Sequence, residues 1–529
     1  MNTLKQIQVK IDSILGGRSP IWHYGGRSQF LHSIAIDPEL PSGSLIKGSG
    51  VIMPTRMQNA IGTSGLGSAA PMWISSAQTT TGIFVYANSG SVYTLTGLTI
   101  VADQEGGFDK AKTTGSDLGT GNGMVYYNDY MYFSTQDDIS RMGRLSTTAP
   151  VFTNNYWVST LGQTSLSSSV AYPSTRSVTY PSHVLHVHND GNVYIADYAD
   201  GHGRIHRFRT DNTGANPGQE YNVLTLPPGM MPTDFESYGT DLAILAIPEA
   251  SYASGSIPRP GNSAMYLWDT VQSRFYRAVP IREVLATCLL SKNGQLYVVA
   301  GNLDTRVILL KYLGGESFET LIDLKEGTPP PAGAADVVGN MLMFGVYGTE
   351  ASTFAGVMSH GYRSGGLPGG AVNNIARITD VTNTLPIVSA LKAIQSGTSG
   401  NYPLVGWRTD TSAAYGLDRY GGSGSYASVF RSEVFNIGQD FRIRRIRIPL
   451  TVAVTSGITI IPKIYLDDEV SSAELRTINT TNYASSERII DMQDVDVRGY
   501  SNFYIEFQFT GTTEVGIVPP VLIDLDIND

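Results

Sequence analysis

Apolar and polar positions along this chain follow a short-period rhythm, broken at regular intervals by turn-forming residues. A turn pair or polar step followed by a strand-like run recurs seven times, at Ser89-Gly90, Asn128-Asp129, Asp190-Gly191, Gly239-Thr240, Asn293-Gly294, Gly339-Asn340 and, more weakly, Asn401-Tyr402. With Val92, Met131, Val193, Leu242, Leu296, Leu342 and Leu404 as anchors, the mean period is 52 residues. Asn-Gly and Asp-Gly pairs supply the positive φ angles of a two-residue hairpin, so each signature marks one strand reversing into the next. Second runs follow, among them Arg204–Phe208, Ala264–Trp268 and Arg306–Leu310. One such meander cannot bury its apolar face alone, whereas a ring of them can. The spacing therefore predicts an all-β chain, a six- or seven-bladed β-propeller, rather than a β-sandwich or several small β domains. The longest gaps, 151–180 and 359–384, are rich in Ser, Thr, Gly, Asn and Pro and read as loop insertions.

The rhythm changes at both ends. After the flexible Gly421-Gly422-Ser423-Gly424-Ser425 the repeat disappears, and Phe503, Ile505, Phe507 and Phe509 fall on one face of a strand. That clean alternation predicts a C-terminal β-sandwich. At the other end, apolar positions 4, 7, 11, 14 and 15 have helical spacing and predict a short amphipathic helix ending at Gly16-Gly17. The expected organisation is an N-terminal arm with that helix (1–45), the propeller (46–428) and the sandwich (429–529).

Composition fits this picture. Of 529 residues, 41% are apolar and only 16% charged, with 57 Gly and 29 Tyr, a turn-dense β profile long enough for more than one core. A net charge of −10 argues against sequence-specific nucleic-acid binding. The single Cys288, inside the apolar run Val284–Leu290, is expected to be a core thiol, which excludes a disulfide framework. No run has the length of a signal-peptide core or of a membrane span, so neither a Sec signal nor membrane insertion is expected.

Candidate chemistry is sparse. His183, His186, His188, His202 and His206 crowd into 24 residues; His186, His188 and His206, with Asp190, Asp197 and Asp200, are the positions a metal would use. Adjacent hairpin strands gather such residues anyway, and no metalloprotease-like spacing accompanies them, so they read as hydrogen-bonded residues of one blade. Arg442, Arg444, Arg445 and Arg447 make one basic strand in an acidic protein. Its alternation slips at Arg444-Arg445, which hints at a bulge. It is either an exposed strand face or a docking edge for an acidic neighbour. Asp467-Asp468-Glu469 is read as a solvated turn rather than a calcium loop, and Gly119–Gly123 as a connection rather than a phosphate cradle. No nucleophile elbow, sialidase box or glycosidase carboxylate setting stands out, so no catalytic residue, cofactor or enzymatic activity is expected.

An arm without a signal, a degenerate propeller lacking the usual repeat motifs and a terminal β domain closing on Phe503–Phe509 and Glu514–Asp524 together resemble the propeller-bearing tail nozzle or hub proteins of tailed bacteriophages. The resemblance is one of architecture and spans most of the chain. It implies a structural virion protein assembled in the host cytoplasm and located in the tail. It further implies a homo-oligomeric ring of typically six copies, which continues the DNA-ejection channel, meets a tail adaptor and receptor-binding fibre or spike proteins, and passes DNA without reading it. The rival expectation is a carbohydrate-binding or carbohydrate-cleaving propeller, of a phage or a bacterial surface, with Trp157, Tyr198, Tyr252 and Trp407 as stacking platforms.

Overall fold

The computed structural model describes residues 5–12, 32–34, 36–37, 53–54, 57–59, 71–76, 83–87, 92–96, 99–101, 123–134, 143–146, 152–153, 183–199, 201–209, 218–248, 261–302, 305–325, 327–347, 356–361, 372–376, 386–395, 401–409, 415–420, 428–467, 472–513 and 515–527. Among them all regular structure is β, and no helix is long and apolar enough to cross a membrane. The chain divides into two compact units, one of 59–356 with 380–419 and one of 1–58, 357–379 and 420–529.

Among the described residues seven four-stranded antiparallel sheets follow one another, beginning with the strands Pro71–Ser76, Gly123–Tyr127, Leu185–Val187, Met230–Tyr238, Leu285–Lys292, Ala335–Val338 and Pro386–Gln395. The fourth strand of the seventh sheet is Met57–Asn59, brought from far earlier in the sequence. Each first strand touches the first strand of the next sheet, and the seventh touches the first, so the cycle closes. This is a β-propeller arrangement, with the first strands innermost.

Second strands read as unbroken apolar runs because both faces of each sheet are covered by neighbouring sheets. In Asp241–Pro248, Leu242, Ile244 and Ala246 pack with Tyr194 and Ile205 of the third sheet. Ala243 and Leu245, on the opposite face, pack with Leu289, Leu296 and Val298 of the fifth. Five of the seven turn signatures fall between the first and second strands, and Asn401-Tyr402 opens the second strand of the seventh sheet. Asn128-Asp129 and Asn293-Gly294 have positive φ at both positions, as a type I′ hairpin requires. The remaining signature, Ser89-Gly90, precedes Val92–Thr96, the third strand of its sheet. That anchor is one strand out of phase with the rest. The long gaps lie mostly outside the described residues, at 154–182, 362–371 and 377–385.

The second unit contains a five-stranded and a six-stranded sheet around one apolar core. Phe503, Ile505, Phe507 and Phe509 of the latter meet Ile443, Ile446, Ile523 and Leu525 of the former. The N-terminal segment corrects the helix expectation: Lys5–Ile11 is a strand, paired antiparallel with Val521–Ile527 from Lys5↔Ile527 to Ile11↔Val521. Ile7, Val9 and Ile11 are β-branched and alternate with Lys and Gln, so the period of two prevails once a partner strand satisfies the backbone. Gln8 Nε2 donates to Asp524 Oδ1 at 2.6 Å, fixing the register.

Ile11 is 4% exposed within that core, so Ile11→Ala is expected to cost about 2–5 kcal/mol in denaturant unfolding of the full chain. An effect below about 0.5 kcal/mol would mean the segment is a dispensable arm.

Candidate functional site

Four of the five sequence-selected histidines fall into two groups. His186 and His188, in and just after the third sheet's first strand, share one hydroxyl of the fourth sheet: Ser237 Oγ lies 2.9 Å from His186 Nε2 and 2.9 Å from His188 Nδ1. His188 Nε2 is 3.1 Å from the Thr240 carbonyl, which only accepts, so that nitrogen carries the hydrogen. In the neutral ring Nδ1 then accepts from Ser237 Oγ, and Oγ accepts from His186 Nε2–H. The chain of bonds is complete and crosses from one sheet to the next.

His206 belongs elsewhere. Its Nδ1 accepts from the Asn222 amide at 3.0 Å and its Nε2 donates to Asp197 Oδ2 at 3.2 Å, with His183 Nε2 3.8 Å from the other carboxylate oxygen. Asp190 closes its own turn by accepting from Asn192 and Tyr194. His186, His188 and His206 therefore form no common ligand set, and among the described residues no three His, Cys, Asp or Glu are grouped to hold a metal ion. Asp467 accepts the amides of Tyr500, Ser501 and Asn502, a turn-capping role, while Asp468 and Glu469 lie outside the described residues.

Sequence reasoning missed the main concentration of titratable groups, on the innermost strands. Asp234 and Glu236 come from the fourth sheet, Asp336 from the sixth, Lys392 from the seventh and His186 from the third. Glu236 feels Asp336, and both Asp234 and His186 feel Lys392, although their sheets are not neighbours in the cycle. In a closed ring such groups meet only across the axis. His186, Asp234 and Glu236 keep some accessible surface while protein encloses them, as side chains lining an interior channel do.

Burial governs their protonation. It raises Asp234 to about 8 against the opposing amide bonds from Leu289 and Phe235, and raises Glu236 to about 7. Burial, reinforced by His188, lowers His186 to about 3, so the ring is neutral. Two aspartates on this axis do the same mechanical job. Asp234 Oδ2 accepts the Leu289 amide of the next sheet at 2.7 Å, and Asp336 Oδ2 accepts the Ala393 amide at 2.8 Å, each with its other oxygen on the following residue's amide. Lys392 Nζ stands 3.1 Å from Asp336 Oδ2.

No protein-family model matches the chain, and no curated protein does. Solved structures with a similar course include the Myceliophteria thermophila Cps50 (Swd1) β-propeller domain, at 8% identity and TM-score 0.40, covering 69% of this chain and 99% of that one. The Dos1 propeller follows at 11% identity and TM-score 0.36, covering 67% and 78%. A computationally designed protein, Ika8, gives 13% identity and TM-score 0.36, covering 69% and 100%. At these values none of the three says what this chain does.

The arginine strand is Phe441–Pro449, and it is interior to its sheet: Val521–Ile527 pairs on one side, Ile489–Met492 and Val497–Gly499 on the other. Its backbone therefore offers no docking edge. The bulge is present, with the register shifting between Ile443 and Arg445 so that Arg444 is the additional residue. Each guanidinium faces an aspartate of its own unit: Arg442 with Asp496 at 2.7 Å, Arg444 with Asp526 at 3.4 Å, Arg445 with Asp491, and Arg447 with Asp524 at 3.6 Å. What remains for a neighbour is a mixed-charge face.

Two proposed stacking aromatics are excluded from that role. Trp407 is fully buried, its ring so close to Gly416 that a Cβ there would stand 2.8 Å away, and Tyr198 is buried as well. Trp157 and Tyr252 lie outside the described residues. Cys288 is a core thiol, 1% exposed, donating to the Pro331 carbonyl at 3.3 Å, with burial pushing its pKa up.

Glu236 has its carboxyl raised from 4.5 in the unfolded chain to about 7, so its contribution to stability is full below pH 4.5 and is lost as pH rises toward 7. Glu236→Gln removes that loss. Relative to wild type, the variant is expected to gain ~1–3 kcal/mol between pH 4 and pH 8 in denaturant melts. A difference that stays flat across that range would show that Glu236 ionises freely.

Proposed function

We propose that this chain is a structural component of a bacteriophage tail, a nozzle or hub protein built as a seven-bladed β-propeller with a C-terminal β-sandwich. In this reading several copies, six in the resembling proteins, form a ring that continues the DNA-ejection channel and joins an adaptor to receptor-binding fibres or spikes. The observation that supports it best is the commitment of charged and polar groups to bonds that hold the body itself together. Asp234 and Asp336 tie adjacent sheets, Ser237 serves two histidines, and all four arginines of the basic strand face aspartates of the same unit. Groups used this way make a stiff module, suited to bearing contacts with neighbouring subunits.

One observation favours a second reading, a carbohydrate-cleaving propeller: a carboxyl held near 7, as in Glu236, is in the range of a general acid. A hydrolysis screen on glycans separates the two, since that reading requires turnover that Glu236→Gln abolishes.

The tail reading is tested by mass spectrometry of purified virion tails together with electron microscopy of the isolated protein. The chain is expected in the tails and as rings, alone or after addition to tail complexes. A persistent monomer absent from tails would overturn the assignment.

A further inference from the structure

The outer face of the five-stranded sheet carries a cleft of about 430 Å³, bounded by Lys5–Ile11, Phe441–Pro449, Val521–Ile527 and the turn at Gln493-Asp494. Its volume lies in the range of small-molecule sites and far exceeds one water. One wall residue is unusual. Asp526 is 7% exposed, its Oδ2 lies 3.4 Å from Arg444 Nε, and its buried Oδ1 has no hydrogen-bond partner. A buried carboxylate oxygen without a donor is costly, so the cleft favours a ligand that brings one.

The charges around it restrict what that ligand is. An entering ammonium or guanidinium would stand beside Arg444 and Arg445, both of which line the cleft. A phosphate or other anion would face Asp494, Asp524 and Asp526. A metal ion lacks a ligand set, since no three acidic or histidine side chains among the described residues are so grouped. A neutral hydroxyl escapes all three objections, because it donates to a carboxylate and accepts from a guanidinium at once. Gln6 and Gln493 add carboxamides with the same dual capacity.

We propose that this cleft binds a neutral saccharide unit, with Asp526 turning its free oxygen toward a ligand hydroxyl and Arg444, half exposed at 51%, donating to another. The site belongs to the second unit and stands whether or not the chain is a tail component. Gln8 and Arg447 hold Asp524, and Asp491 holds Arg445, so the frame of the cleft is set before a ligand arrives.

The test is calorimetric titration of the full chain with a panel of neutral mono- and disaccharides, alongside inorganic phosphate and lysine methyl ester. At least one neutral sugar is expected to bind, with affinity falling about tenfold or more in Asp526→Asn and in Arg444→Ala. Asp526→Asn keeps the shape of the side chain, and an unchanged melting temperature shows that any loss is local. The proposal is overturned if no neutral sugar binds at ~10 mM, if binding ignores both cleft substitutions, or if phosphate or the lysine ester binds there instead.

Discussion

A four-stranded sheet with two apolar faces has nowhere to put them except against other sheets, and the first unit follows from that constraint. The second strand of the fourth sheet shows it residue by residue: Leu242, Ile244 and Ala246 belong to the core shared with the third sheet, Ala243 and Leu245 to the core shared with the fifth. Tyr132 with Ile195 and Phe208 makes the equivalent core between the second and third sheets. The third and fourth sheets are thus each half of two cores, and a row built this way is stable only when its ends meet. The contacts between successive first strands, returning from the seventh to the first, are that closure.

Closure has an electrostatic cost at the axis, where the innermost strands bring polar side chains together. The chain offsets it by making those groups structural. Asp234 and Asp336 each give one oxygen to an amide of the neighbouring sheet and the other to the following residue's amide, and the histidines 186 and 188 are locked through Ser237. Glu236 and Asp234 keep their protons to unusually high pH because burial, not a partner cation, dominates their surroundings. The second unit solves a different problem with charge: its bulged central strand places four arginines over aspartates on an outer face while Ile443, Ile446 and Ile448 fill the core beneath.

Much of the fold was legible in the sequence, and the failures have causes. Second strands were visible because burial on both faces leaves a continuous apolar run bounded by a turn pair, as in Asn293-Gly294 before Leu296–Val299. First strands were not, because Met230–Tyr238 carries Asp234, Glu236 and Ser237 toward the axis and reads as irregular. The slip at Arg444-Arg445 did announce its bulge. Lys5–Ile11 was misjudged because positions 7 and 11 fit both periods, and only the distant partner Val521–Ile527 decides between them. The axial cluster gave no local signal: its members lie on four strands between positions 186 and 392 and meet only once the ring is closed.

The central claim is that the first unit is one closed body whose sheets are tied through their innermost strands. Native-state hydrogen exchange tests it most directly, at the Leu289 and Ala393 amides that donate to Asp234 and Asp336 of the preceding sheets. The account predicts that both exchange only with global unfolding of the unit, at the same free energy as the central amides of Asp241–Pro248. Exchange of either amide by local opening of a single sheet, well below the global value, would contradict it.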